Sequence, residues 1–242
     1  MLCKTRAIVL KTVKFSETSL VVKLYTEQFG LKSFLVRGVR KKHARNSPNL
    51  FQPLSLIEVV FIHKPGDGLI IPKEINSWHH FQTIPFDVIK SSIVLFLNEL
   101  IYRSIREEEA NPDFFTFLAH SVVYIDASNE QVFNAHIVFT LHLTHYLGFF
   151  PLGNFSPEKP YFLLREGVFS KFISEDDFYV NQQESELLDV LIRTNMEDSH
   201  TLELSSAKRK RILEIIILYY QLHLIGFGEI KSLEVLSQLF HA

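Results

Sequence analysis

The 242-residue chain is 47 % hydrophobic and 13 % aromatic, with 22 Phe, which excludes a disordered protein and supports a packed interior. Its formal net charge of −2 conceals a division: residues 1–80 hold 13 Lys and Arg against 5 Asp and Glu, and residues 81–242 hold 12 against 22, net charges of +8 and −10. Cys3 stands alone, so no internal disulfide forms; no apolar run reaches the roughly 18 residues of a membrane span or opens the chain as a leader, so a cytoplasmic protein is expected.

Residues 5–14, rich in β-branched and apolar side chains, predict a first strand. Ser16-Glu17-Thr18 makes a polar turn. Over 19–26, alternation places Leu20, Val22 and Leu24 on one face and Val21, Lys23 and Tyr25 on the other. Phe29-Gly30 turns the chain into a third strand over 31–39, where Gly38 marks an end or a bulge. Residues 40–49 lack periodicity and hold Arg40, Lys41, Lys42, His43 and Arg45, which reads as a loop. A long strand over 51–63 alternates Ile57, Val59 and Phe61 with Glu58, Val60 and Ile62. Pro65-Gly66-Asp67-Gly68 is a turn signal, and 69–75 completes a fifth strand. Five short antiparallel strands predict a small closed barrel of the OB type, which would leave no open sheet edge.

Composition changes near Trp78, and the remainder reads as helical. Residues 85–109 carry Ile89, Ile93, Phe96, Leu97, Leu100 and Ile101 at helical spacing. Asn111-Pro112 is a cap followed by proline at the first helical position, opening a helix over 113–125. Further helices are predicted over 131–147, 184–195, 205–225 and 231–240. The helix over 205–225 is apolar nearly all round and therefore buried. Residues 148–178 show no clear period and are expected to be irregular, with at most one short strand pair. The fold class is α+β: a five-stranded barrel over 1–80, then a mostly helical domain over 81–242 with an irregular segment around 148–180.

A β-scaffold carrying Lys11, Lys14, Arg37, Arg40, Lys41, Lys42 and Arg45, with Lys4, Arg6, Lys23 and Lys32 nearby, is the composition of a polyanion-binding module. OB barrels hold single strands by a cationic groove with aromatic stacking, and Phe15, Tyr25, Phe34, Phe51 and Trp78 are the available rings, although core burial is the commoner fate of such residues. Lys208-Arg209-Lys210-Arg211 opens the helix over 205–225, where the helix dipole favours anions, so a second phosphate contact or a seat for an acidic peptide is expected. His142 and His145 share a helix face, but zinc needs three or four ligands and cysteine is missing there. Glu107-Glu108-Glu109 spreads around a helix instead of converging on a metal. No phosphate-cradling glycine loop, nucleophile elbow or Cys-His pair argues for an enzyme, so neither catalytic residues nor a cofactor are expected.

Several motifs carry a resemblance. Ala7-Ile8-Val9-Leu10, Ser16-Glu17-Thr18-Ser19-Leu20, Tyr25-Thr26-Glu27, Phe29-Gly30, Val36-Arg37-Gly38-Val39-Arg40, Leu50-Phe51-Gln52-Pro53, Tyr146-Leu147-Gly148-Phe149 and Ile230-Lys231-Ser232-Leu233-Glu234 resemble, in order, the RecO family of bacterial DNA recombination and repair mediators. The resemblance implies an N-terminal OB domain and a helical C-terminal domain. It implies binding of single- and double-stranded DNA, annealing of complementary strands, and loading of RecA onto strands coated by single-strand binding protein. RecR and the acidic C-terminal tail of single-strand binding protein are the implied protein partners, with Arg103 and Arg106 as candidate tail contacts. Many RecO-like proteins carry four zinc-binding cysteines after the Tyr-Leu-Gly-Phe motif; residues 152–171 contain none, so Phe and Tyr packing is expected to anchor this segment. The competing reading is a protein-interaction adaptor that docks an acidic peptide, with DNA contact incidental.

Overall fold

The computed structural model describes the chain except residues 40–46, 65, 67, 106–108, 177 and 240–242. It forms two compact units, Met1–Ala127 and Ser128–Ala242.

The first unit is built on a curled six-stranded sheet. Its strands are β1 (Leu2–Lys14), β2 (Leu20–Thr26), β3 (Gly30–Val36), β4 (Leu56–Ile62), β5 (Leu69–Ile70) and β6 (Glu74–Ser77), in the spatial order β5-β3-β2-β1-β4-β6. The thirteen-residue β1 is the hub: its first half pairs with β4 and its second with β2. Alternation sends Ala7, Val9, Val22, Leu24, Phe34, Ile57, Val59 and Phe61 into one core, closed by Phe51, Ile70 and Ile75. The expected closed five-stranded barrel is corrected to a half-barrel of six strands whose ladder ends at β5 and β6. Pro72 explains the extra strand. It has no N–H for a ladder, and the anticipated fifth strand breaks there into β5, parallel to β3, and β6, antiparallel to β4. Proline acts likewise on the expected strand over 51–63: Phe51 closes a 3₁₀ turn over Pro48–Phe51, and pairing starts only at Leu56, past Pro53.

Among the described residues, two α-helices complete this unit. Helix α1 (Val88–Ser104) is capped by the Asp87 carboxylate, which accepts from the N–H groups of Ile89 and Lys90. Helix α2 (Pro112–Ala127) starts as read, with the Phe114 N–H donating to Asn111 Oδ1 at 2.9 Å. Tyr25 meets Phe114 edge-on with ring centroids 5.2 Å apart. The joint between sheet and helices is polar. Buried Asp126, near the end of α2, accepts from the N–H groups of Gln82, Thr83 and Ile84 at 2.9, 2.9 and 3.0 Å. Burial works against its ionisation, yet these donors hold its carboxyl below the ordinary value. Buried Lys90 donates to Thr83 Oγ1 and to the Asp126 carbonyl.

The second unit centres on helix α3 (Ala135–Tyr146), nine of whose twelve residues are buried. Its Thr140 and Thr144 hydroxyls donate to main-chain carbonyls of the same helix, which lets them lie in the core. Helices α4 (Gln182–Arg193), α5 (Ser206–His223) and α6 (Ser232–Leu239) follow. The segment expected to be irregular holds a three-stranded sheet, β7 (Tyr161–Leu163), β8 (Val168–Ser170) and β9 (Tyr179–Val180), with β7 in the middle. Aromatic packing holds it: Phe162 lies 5.0 Å from Phe169 and 5.7 Å from Tyr219, and Phe149 stacks on His223 at 5.0 Å. The Tyr219 hydroxyl donates to the Phe149 carbonyl at 2.6 Å.

Candidate nucleic-acid interface

The basic side chains of the half-barrel divide by partner. Lys4 pairs with Glu58 at 2.9 Å, and Arg6 forms a two-pronged contact with Glu27 that raises its pKa further. Arg6 also lies over the rings of Trp78 and Phe115, at 5.4 and 5.5 Å. These two cations are neutralised within the fold. Lys11 and Lys14 on β1, Lys23 on β2 and Arg37 after β3 have no carboxylate partner among the described residues.

Lys11 and Lys23 are directly opposed across the β1–β2 ladder, immediately after a register shift between Val9 and Lys11. Both ammonium groups lie against one ring of α1: Lys11 Nζ is 4.5 Å and Lys23 Nζ 5.6 Å from the centroid of Tyr102. Lys11 also donates to the Tyr102 hydroxyl at 3.3 Å. One helical turn earlier, Asn98 donates to the Leu10 carbonyl at the register shift, 3.0 Å away. Asn98 and Tyr102 are spaced i, i+4 and share a helix face, so the bond at Leu10 fixes where the ring falls. A cleft of about 380 Å³ opens beside the shift, with Lys11, Thr12, Gln52 and Asn98 in its wall.

Other candidates are dispersed. Lys14 pairs with Leu20, and Leu20 with Val36, so Lys14 and exposed Arg37 lie at one end of the sheet. Arg40, Lys41, Lys42 and Arg45 fall outside the described residues, in the segment that follows Val39. Tyr25, Phe34 and Phe51 are core side chains, whereas Phe15 is 61 % exposed. In the second unit the run at the start of α5 separates. Arg209 is half-buried, donates to the Leu204 carbonyl at 2.5 Å and lies over the Phe133 ring, and burial lowers its pKa. Arg211 pairs with Glu184, which raises its own. Lys208 and Lys210 are exposed. Arg103 bonds Glu99 on its own helix, and Arg106 lies outside the described residues.

A second, mostly apolar cavity of about 720 Å³ in the first unit is walled by Leu50, Pro53, Ile57, Ile84 and Val94, with His79 and His80. His142 and His145 flank the Phe150 ring at 6.0 and 5.7 Å, and burial lowers the His142 pKa. Among the described residues no three His, Cys, Asp or Glu side chains converge on one point. With no Cys or His in residues 152–171, the zinc ligands of many RecO-like proteins have no counterpart in this segment.

The family model for the N-terminal part of recombination protein O matches residues 1–78, and the model for its C-terminal part matches residues 85–234. The chain belongs to the recombination protein O family. DNA repair proteins RecO from Flavobacterium psychrophilum and Phocaeicola vulgatus are 40 % and 37 % identical to it, over 99 % of this chain and 100 % of theirs. The Bacteroides fragilis protein of the same name is 39 % identical over the same shares. RecO membership accounts for the α+β fold, a curled sheet followed by helices, and places the chain in DNA repair.

The Lys11–Lys23–Tyr102 grouping was not legible in the sequence. The lysines stand out only as members of a basic strand pair, and Tyr102 only as a helix residue. Their meeting depends on the register shift and on the seat of α1 upon it.

Proposed function

We propose that this protein is a non-catalytic DNA repair mediator that grips single-stranded DNA by its phosphates. In that role it anneals complementary strands and, with RecR, helps load RecA onto strands coated by single-strand binding protein, whose acidic tail it also receives. The observation that carries this reading is the unneutralised set Lys11, Lys14, Lys23 and Arg37 on a scaffold where Lys4 and Arg6 are paired with glutamates. Cations left without carboxylates repel one another, and a polyanion relieves that cost while releasing its own counterions. Three of the five candidate stacking rings are buried, so the contact is electrostatic and indifferent to sequence. Neutralising two strands at once lets their bases pair without nucleotide hydrolysis. A cytoplasmic location and a functional boundary near residue 80 belong to the same proposal; no helix of the described residues is long and apolar enough to cross a membrane.

The test is binding of a labelled oligonucleotide over a salt series, with charge reversal at Arg37, Arg40, Lys41 and Lys42. Affinity is expected to fall linearly with log salt, and the slope to shrink by about 0.7 for each single-strand phosphate contact removed. Binding that ignored all four reversals would count against a cationic groove. Capture of an acidic tail peptide that these variants abolish, with DNA binding unchanged, would favour the adaptor reading.

A further inference from the structure

We infer that Lys11 and Lys23 together form one phosphate subsite for a nucleic-acid strand, and that Tyr102 is its positioning residue. This inference rests on the DNA-binding reading above and assigns it a specific place on the β1–β2 face beside α1.

Four observations converge. Lys11 and Lys23 are like charges directly opposed on adjacent antiparallel strands, an arrangement that destabilises a sheet. Neither has a carboxylate within ion-pair distance among the described residues, although Glu58 and Glu27 serve Lys4 and Arg6 on the same sheet. A register shift stands immediately before Lys11, the device by which a strand re-aims a side chain. The aromatic ring of α1 accepts both ammonium groups, at 4.5 and 5.6 Å from its centroid.

The ring explains how the pair is held. The negative face of an aromatic ring attracts cations, so Tyr102 partly offsets the repulsion and narrows the range of the two flexible stems. It cannot neutralise them. Two ammonium groups held at one ring with their charge uncancelled offer donors to a phosphodiester, whose two free oxygens share one negative charge. Ordering both stems before binding reduces the entropy that gripping the strand would otherwise cost. Asn98, bonded to the Leu10 carbonyl at 3.0 Å, keeps the ring over the lysines.

Charge reversal at two matched lysines makes the test. Lys23→Glu places a carboxylate opposite Lys11, and Lys4→Glu changes the net charge equally but removes a cation already paired with Glu58. With the full-length protein and a labelled oligothymidylate, Lys23→Glu is expected to lower the salt slope by about 0.7, since it removes one cation of the subsite, occupies the other, and so loses the one strand phosphate they hold. Lys4→Glu is expected to leave the slope within about 0.3 of wild type, no strand phosphate being lost with it. Without DNA, Lys23→Glu should melt at or above the wild-type temperature, because a repulsive cross-strand pair becomes an attractive one. Tyr102→Phe keeps the ring and should bind within about twofold of wild type, whereas Tyr102→Leu should bind about three- to tenfold more weakly, the loss expected when lysine stems no longer ordered by the ring must be ordered on binding. Equal slopes for Lys23→Glu and Lys4→Glu would overturn the inference. So would a Lys23→Glu protein that melts well below wild type, or equal binding by the Phe and Leu variants at 102. Loss of acidic-peptide capture in Lys23→Glu with the DNA slope unchanged would overturn it in favour of a carboxylate seat. A wild-type protein that fails to bind the oligonucleotide at all would instead sink the DNA-binding reading, so the two failures are distinguishable.

Discussion

The joint at Asp126 allows a stability prediction that needs no functional assumption. The carboxylate is 3 % exposed and accepts from three main-chain N–H groups of the segment that enters α1. Asp126→Ala leaves those donors without their acceptor. A hydrogen bond to a charged group contributes about 1.5–3 kcal/mol and a neutral one about 1 kcal/mol, and part of each loss is recovered where water can reach Gln82. With the Gln82 bond discounted, the two remaining bonds give a net cost of about 3–6 kcal/mol, a fall in melting temperature of roughly 6–24 °C for a chain of this size. Asp126→Asn is milder: its carbonyl can serve Thr83 and Ile84, both of which bond Oδ1, but its amide faces the Gln82 N–H, for a cost of about 1–2 kcal/mol. The pH dependence has a definite sign. The folded pKa lies below the ordinary 3.8, so the carboxylate's contribution is complete above that value and is lost as pH falls through the folded pKa. Thermal melts of the three proteins at neutral and at strongly acidic pH check this. Equal stability at neutral pH, or a gap between wild type and Asp126→Asn that widens on acidification, would refute the hydrogen-bond account.

Two further stability predictions concern the second unit. Gly167 has φ of 68°, and a Cβ there would lie 2.6 Å from the Tyr219 hydroxyl, which is bonded to the Phe149 carbonyl. Gly167→Ala is expected to cost about 2–3 kcal/mol, against about 1 kcal/mol for Gly153→Ala, which has φ of 81° but open space; equal urea midpoints would contradict the contact. His136 is buried, and its pKa is lowered from 6.5 to about 3, chiefly by burial. Between those values the unfolded chain takes up a proton that the folded chain refuses, so stability falls by about 1.4 kcal/mol per pH unit below 6.5 on this account. His136→Gln should remove that component, so its deficit relative to wild type narrows between pH 6.5 and 5; parallel curves would show that the imidazole does not titrate as described.

What the sequence disclosed follows the range of the forces involved. Strands β1 to β4 could be read because their inner residues alternate over seven positions or more, and the helix starts at Asn111 and Ser205 because capping is local. Strands β7 to β9 could not, since two or three residues hold no period. Their positions come from distant partners: the Ser185 hydroxyl, which accepts from the Phe162 N–H and donates to the Val180 carbonyl, and the His223 ring at the Leu164 carbonyl. The same distinction divides the basic residues. A dipole argument at the start of α5 treats four cations alike, but Arg209 and Arg211 have stems long enough to leave their own turn for the Leu204 carbonyl and for Glu184, which only the folded chain brings near.

The placement of the aromatic rings bears on mechanism more than the number of cations does. A strand stacked on aromatic side chains has its bases occupied, and pairing must first strip them away at about 1–3 kcal/mol per base. A strand held by its phosphates has its bases free. Phe34 and Phe51 lie inside the half-barrel, Tyr25 is buried against Phe114 of α2, and Tyr102, the ring beside the unpaired lysines, is turned to ammonium groups. Under the proposed function, such a surface favours annealing over storage of single strands, because it screens the charge that keeps two strands apart without competing for the bases that join them. Affinity should then depend steeply on salt and weakly on base composition: oligothymidylate and oligoadenylate of one length should bind alike despite their different stacking. A strong preference between them would place an aromatic platform in the interface and remove the reason to expect annealing from screening alone.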